Sequence, residues 1–153
     1  MTDSKIVEFT DSREIFSRLK KEGKKIVFTN GCFDLIHIGH VRYLSEAKAL
    51  GDILVIGLNA DESVSRIKPG RPVTPEAQRA EVLAALEAVD YVVLFKEDTP
   101  YELIKEIQPD VLVKGADWDV KDIVGNDIAK ETRTISFLDG ISTSDIISRI
   151  KLL

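Results

Sequence analysis

The chain is poor in the residues that most often carry chemistry. Its 153 residues include one cysteine, two histidines and one tryptophan. A single cysteine cannot form an internal disulfide, and a reducing cytoplasm is the simplest home for such a chain. No apolar run reaches the length needed to span a bilayer, so no membrane association is expected. The N-terminal stretch MTDSKIVEFT lacks the apolar centre of a secretion signal. Basic residues are outnumbered, with 21 Lys plus Arg against 26 Asp plus Glu and a net charge of −5. That balance argues against a nucleic-acid partner, which usually demands a basic surface. It leaves room for one small anion held by a local cluster of cations. Two phosphate-binding signatures are also missing. Neither a GxxxxGK[ST] loop nor a GxGxxG turn occurs anywhere in the chain.

The scarce residues are not scattered. Cys32, His37 and His40 all fall within GCFDLIHIGHVRYL, residues 31–44. Three uses compete for such a cluster. A zinc site would draw on Cys32, Asp34, His37 and His40, but a helical zinc pair is normally spaced four apart and no further histidine or cysteine exists to complete it. A nucleophilic site would need a base and an orienting partner for Cys32. A phosphate site needs only N–H donors, and the spacing suits it. If a helix begins near Ile38 or Gly39, both rings lie at its mouth, beside unpaired amides and the positive end of the dipole. Gly39 would let a ligand approach the backbone.

The surrounding pattern indicates where that mouth would lie. Five apolar runs read as strands: Lys24–Gly31, Asp52–Asn59, Asp90–Glu97, Asp110–Gly115 and Thr132–Asp139. Their centres are apolar on both faces, as in parallel strands covered on both sides. Helical stretches separate them. One runs from His40 to Leu50 and is stopped by Gly51. One follows Thr74 as cap with Pro75 at the first helical position. One lies between Pro100 and Pro109, and a last one opens at Ser142. Residues 1–23 read as a helical lead-in, with an amphipathic helix from Asp11, and residues 24–153 as the domain proper. The expected fold is α/β, a Rossmann-like doubly wound five-stranded parallel sheet with helices on both faces. Ligands of such sheets bind beyond the carboxyl ends of the strands. Residues 31–44 start there, and 59–71, 115–125 and 139–144 should converge on the same crevice.

Within this frame TNGCFDLIHIGH resembles the HxGH motif of the nucleotidyltransferase superfamily of cytidylyl- and adenylyltransferases. GISTSDII, residues 140–147, resembles its C-terminal phosphate-contacting motif. RPVTPEAQRAEVLAALEAVDYVVLFKEDTP and DVLVKGADW are similar to the adenylyltransferase domain of the bifunctional ADP-heptose synthesis proteins and its stand-alone form. The likeness covers nearly everything from Lys24 to Ile150. It implies transfer of AMP from ATP to D-glycero-β-D-manno-heptose 1-phosphate with release of pyrophosphate. The product supplies the lipopolysaccharide core. Related glycerol-phosphate cytidylyltransferases carry Arg-Thr-Glu before Gly-Ile-Ser-Thr, where this chain has Phe137, Leu138 and Asp139. That difference favours the heptose family over a cytidylyltransferase acting on an alcohol phosphate. A non-catalytic nucleotide sensor is the alternative of another class.

The resemblance also implies roles. His37, His40 and Lys68 would act on the triphosphate during transfer. Thr29, Asn30, Gly31, Cys32, Phe33, Gly39, His40, Lys114, Gly115, Ser142, Thr143 and Ser144 would surround the nucleotide. Asp34, Arg71, Arg79, Asp117 and Trp118 would serve the acceptor, with Asp34 a candidate to orient a histidine. Mg²⁺ would accompany ATP without a dedicated protein cage. A homodimer is a family-level expectation.

Overall fold

The apolar runs form one parallel sheet whose two faces are buried separately. The structure, a computed structural model, describes residues 2–153. The strands are β1 (Ile6–Val7), β2 (Ile26–Gly31), β3 (Ile53–Asn59), β4 (Tyr91–Phe95), β5 (Val111–Gly115) and β6 (Glu131–Ile135). The helices are α1 (Ser12–Lys21), α2 (Ile38–Lys48), α3 (Asp61–Ile67), α4 (Glu76–Ala84), α5 (Tyr101–Ile107) and α6 (Thr143–Lys151). Side chains alternate across the sheet as period two requires. Val27, Leu54, Ile56, Leu58 and Val113 pack with Leu44 and Ala47 of α2 and Leu83 of α4. Ile26, Phe28, Val55 and Leu112 pack with Phe16 of α1 and Leu103, Ile104 and Ile107 of α5.

The sheet has six strands rather than five, in the order β1-β4-β3-β2-β5-β6. The additional strand is β1, where Ile6 and Val7 pair with Val92 and Val93 of β4. Two residues are too few to display an alternation, so no strand signal is visible there in the sequence. Residues 2–23 are therefore not helical throughout. Two helical expectations also change. The crossover after β3 contains α3, a short helix that the pattern did not announce. Pro75, not Thr74, occupies the cap of α4, and no side chain caps it. The Thr74 amide is instead spent on Asp34.

Strand order reverses between β2 and β5, which neighbour each other at the centre. Crossovers on either side of this point diverge, leaving a crevice at the carboxyl ends of the two strands. Asn30 and Gly31 end β2 there, and Lys114 and Gly115 end β5.

Arg79 ties the strand ends together. Its side chain is almost wholly buried. Nε donates to the Thr74 carbonyl at 2.9 Å. Nη1 donates to the carbonyls of Cys32 at 2.6 Å and Asn59 at 2.9 Å. Nη2 meets the Asp61 carboxylate at 2.8 Å. This corrects the placement of Arg79 at an acceptor phosphate: its donors are directed at the protein. The reason is a surplus of acceptors, because carbonyls at the ends of β2 and β3 have no ladder partner and only a forked donor reaches several at once. Replacing Arg79 with Met leaves these carbonyls buried and the Asp61 carboxylate unpaired. The expected loss is about 3–5 kcal/mol of stability, read by urea unfolding. A loss under ~1 kcal/mol would show that the knot contributes little.

Candidate functional site

The crevice is built outward from the turn between β2 and α2. Two non-glycine residues in it, Phe33 and Leu35, have positive φ, at 47° and 54°. Such backbone is held only where its surroundings fix it. Asp34, between them, supplies the fixation. Its carboxylate is buried and accepts the amides of Val73 at 2.8 Å and Thr74 at 3.0 Å. Its carbonyl accepts the Thr143 hydroxyl at 2.8 Å. Arg71 lies 3.8 Å from the same carboxylate. Asp34 therefore holds backbone rather than a histidine ring.

The turn delivers the chain to α2 in an extended conformation, with His37 as the cap. The His37 Nδ1 accepts the Gly39 amide at 3.1 Å, and the His40 Nδ1 accepts the His37 amide at 3.2 Å. Each ring accepts through Nδ1, so in the neutral imidazole the proton sits on Nε2. The rings lie side by side, with centroids 3.9 Å apart. Gly39 is required by this packing, because a Cβ there would lie 2.9 Å from the His37 ring. Capping and donation are thus one arrangement: Nδ1 serves the helix and Nε2–H is free to serve a ligand. Burial lowers the His37 pKa. Burial, followed by the proximity of His37 and Lys68, takes His40 down to about 4.

Three adjoining hollows share these walls. The first, of about 220 Å³, brings together Asn30, Gly31, Cys32, Phe33, Asp34, His40, Lys68, Arg71, Lys114, Gly115, Asp117, Trp118 and Thr143. Another adds His37, Gly39, Ser142 and Ser144 beside His40, Lys68 and Arg71. Here Ser142 caps α6, its hydroxyl accepting the Asp145 amide at 3.0 Å, so the mouths of α2 and α6 border one space. The remaining hollow lies beyond the carboxyl ends of β2, β3 and β5 and is lined by Asn59, Ile67, Asp98, Thr99, Ile123 and Val124, with Asn30, Gly31, Cys32, Lys68, Lys114 and Trp118 shared with the first. Lys68 borders all three. Lys114 donates to the Asn30 carbonyl at 3.2 Å and lies 5.7 Å from the centre of the Trp118 ring. Burial lowers its pKa.

Two anticipated residues stand apart. Arg79 is spent on the strand ends. Thr29 is buried behind the crevice, its hydroxyl 2.9 Å from the Tyr43 hydroxyl. Other lining residues were not anticipated. Tyr43 and Phe137 enter from α2 and from the segment after β6. Asp98 and Thr99 follow β4, a strand whose carboxyl end shares the same sheet edge, and that topology was the signal available for them.

Among the described residues no three His, Cys, Asp or Glu side chains converge as a metal cage. The carboxylate of Asp34 is committed to amides, which leaves Asp117 as the acidic side chain bordering the first hollow. This donor set suits a cation carried in on phosphate oxygens and water, not one held by protein alone. No helix among the described residues is long and apolar enough to cross a membrane.

Comparison with known proteins agrees with this architecture. Over 151 residues the chain is 56% identical to the bifunctional protein HldE of a Nitratiruptor species, a match covering 98% of this chain and 33% of that protein. With the bifunctional protein HldE of Helicobacter pylori (strain J99) it shares 55% identity over 139 residues, 90% of this chain and 30% of the other. The chain thus spans about a third of the length of these relatives. Among solved structures, a lipopolysaccharide core biosynthesis protein from Thermoplasma volcanium superposes with a TM-score of 0.67 at 32% identity, over 76% of this chain and all of that one. Pantoate-beta-alanine ligase from Francisella tularensis shares the fold, with a TM-score of 0.61 at 16% identity, over 96% and 77% of the two chains. The cytidylyltransferase-like family model matches residues 28–149, from the middle of β2 into α6, and the chain belongs to that family.

Proposed function

We propose that this chain is an adenylyltransferase that moves AMP from ATP to D-glycero-β-D-manno-heptose 1-phosphate, releasing pyrophosphate and forming ADP-heptose. The observation that carries the reading is the pair of imidazoles whose Nδ1 atoms are engaged by the start of α2. This leaves two neutral Nε2–H donors beside Lys68, Arg71 and the mouth of α6. The high identity to the HldE proteins supports the heptose acceptor over an alcohol phosphate.

In this reading the triphosphate lies between the mouths of α2 and α6, and the acceptor takes the hollow lined by Asn59, Asp98 and Thr99. An oxygen of the acceptor phosphate attacks the α-phosphorus. The new O–P bond forms as the bond from the α-phosphorus to the α,β-bridging oxygen breaks, and pyrophosphate departs with that electron pair. A phosphate monoester has its second pKa near ~6, so at neutral pH the nucleophile is largely dianionic and needs no general base. The protein's task is alignment and charge neutralisation. Lys68 borders every hollow, so it can follow charge from acceptor to leaving group. His37 and His40 donate to phosphate oxygens without titrating. A divalent cation, taken here as Mg²⁺, would neutralise part of the triphosphate charge. A cytoplasmic setting and small-molecule partners, ATP and a sugar phosphate, belong to the same proposal.

The direct test is pyrophosphate release with Mg²⁺, pairing ATP or CTP with the heptose phosphate or glycerol 3-phosphate. Release with ATP and the heptose phosphate alone is expected. Release with CTP instead would move the chain to a cytidylyltransferase activity, and tight ATP binding without release from any pair would leave a sensor. His37→Ala and His40→Ala should each lower turnover by ~100-fold or more while keeping a cooperative thermal transition. Wild-type rates in both variants would remove the mechanism.

The ring environments set a second expectation. In the unfolded chain each histidine titrates near ~6.5, while folded His40 does so at about 4. Between these values the unfolded state binds more protons. Histidine linkage is therefore silent above that range and destabilises the fold as pH falls through it. NMR titration should find the His40 ring neutral, with its proton on Nε2, throughout pH 5.5–8 (roughly the range over which an ordinary histidine titrates). A midpoint near the ordinary histidine value would contradict the buried-acceptor arrangement.

A further inference from the structure

One large apolar side chain in the crevice has no part in the phosphate chemistry. Phe137 follows β6 and is 53% exposed. It borders both the first hollow and the one between the mouths of α2 and α6. It is nevertheless held in place. Its ring stacks on Tyr43, with centroids 5.6 Å apart and planes within 19°. Tyr43 is itself buried and anchored through its hydroxyl to Thr29. Gly115, at the end of β5, leaves the room the ring needs, because a Cβ there would overlap it. The result is an aromatic surface supported from behind, half open to solvent and adjacent to the cations expected to hold a triphosphate.

The open face of a ring fixed from behind gains apolar contact when something flat covers it. Phosphates cannot, because they need donors and charge. A nucleobase can, because it presents a flat π-face and is tethered by its ribose to those phosphates. We propose that Phe137, backed by Tyr43, is the stacking platform for the base of the bound nucleotide, and that it favours a purine. The ring offers no hydrogen-bonding group to read a base edge, so it discriminates by overlap area, and a bicyclic purine covers more of it than a pyrimidine. The proposal rests on the nucleotide-transfer reading above for its ligand, and it adds how the base is selected.

Binding without turnover tests it. Titrate the wild-type chain and Phe137→Ala with α,β-methylene ATP, α,β-methylene CTP and inorganic triphosphate, each with Mg²⁺, by calorimetry. Phe137→Ala should weaken binding of the ATP analogue by roughly tenfold, leave inorganic triphosphate unchanged and shrink the preference for the ATP over the CTP analogue. Phe137→Tyr should keep wild-type affinity, and Phe137→Leu should behave like Phe137→Ala if stacking rather than apolar contact is responsible. Unchanged affinity for the ATP analogue would overturn the proposal. So would an equal loss for inorganic triphosphate, which would mean that the ring only positions the segment before α6. Tighter binding of the ATP analogue would overturn it too, because the ring would then be a plug. The transfer reading stands or falls separately, since it is measured by pyrophosphate release from the wild-type chain.

Discussion

A carboxylate removed from water must find donors, and Asp34 finds two amides of the segment that precedes α4. Its own carbonyl takes the hydroxyl that opens α6. Three stretches far apart in sequence are thereby fixed to one residue: the turn after β2, the stretch from Arg71 to Thr74, and the start of the last helix. The left-handed backbone of Phe33 and Leu35 is held by the same contacts. The turn between β2 and α2 inherits its position from this junction. The extended conformation of His37, and with it the cap of α2, follows from where the turn releases the chain.

Two arginines eight positions apart show how position decides the use of a charge. Arg79 is buried and its donors are consumed by strand-end carbonyls and Asp61. Arg71 stays at the crevice edge, 3.8 Å from a carboxylate already satisfied by amides and 3.5 Å from the Ser144 hydroxyl. The first stabilises the sheet edge on which the site is built. The second keeps donors for a ligand. An acidic chain can therefore hold an anion, because Lys68, Arg71 and Lys114 are gathered at one point while most of the acidic excess lies elsewhere.

Much of this is legible in the amino-acid order alone. Strands β2 to β5 announce themselves because their runs are apolar on both faces, whereas the run expected over Thr132–Asp139 is the short, largely polar edge strand β6, Glu131–Ile135. The crevice follows from the rule that parallel sheets bind ligands at their carboxyl edge. The histidine pair marks itself as a candidate phosphate site by its spacing and by the glycine between the rings. What stays hidden depends on tertiary partners. Strand β1 is two residues long and gains its identity only from pairing with β4. Arg79 looks like any helical arginine until the carbonyls of β2 and β3 are brought to it. Asp34 reads as a turn residue because the amides it binds are about forty positions away. Phe137 follows an edge strand with no periodicity to mark it, and its meaning depends on Tyr43 and Gly115, which are distant in sequence.

The neutrality of the histidines is what allows the cations to be gathered at all. Imidazolium rings 3.9 Å apart would repel each other and Lys68, and would lose the two acceptor bonds that cap α2. Neutral rings avoid both costs and still present N–H groups. Under the proposed function, labour is then divided within the site. Lysine, arginine and the helix mouths supply the field that draws an anion in. The imidazoles, locked by Gly39 and by the helix they cap, supply direction. In the proposed transfer, a field alone would hold a triphosphate in many poses, whereas fixed donors would select the pose in which the α-phosphorus faces the acceptor. Losing the orientation of one ring would therefore damage alignment more than affinity, because the charges that bind the phosphates would all remain.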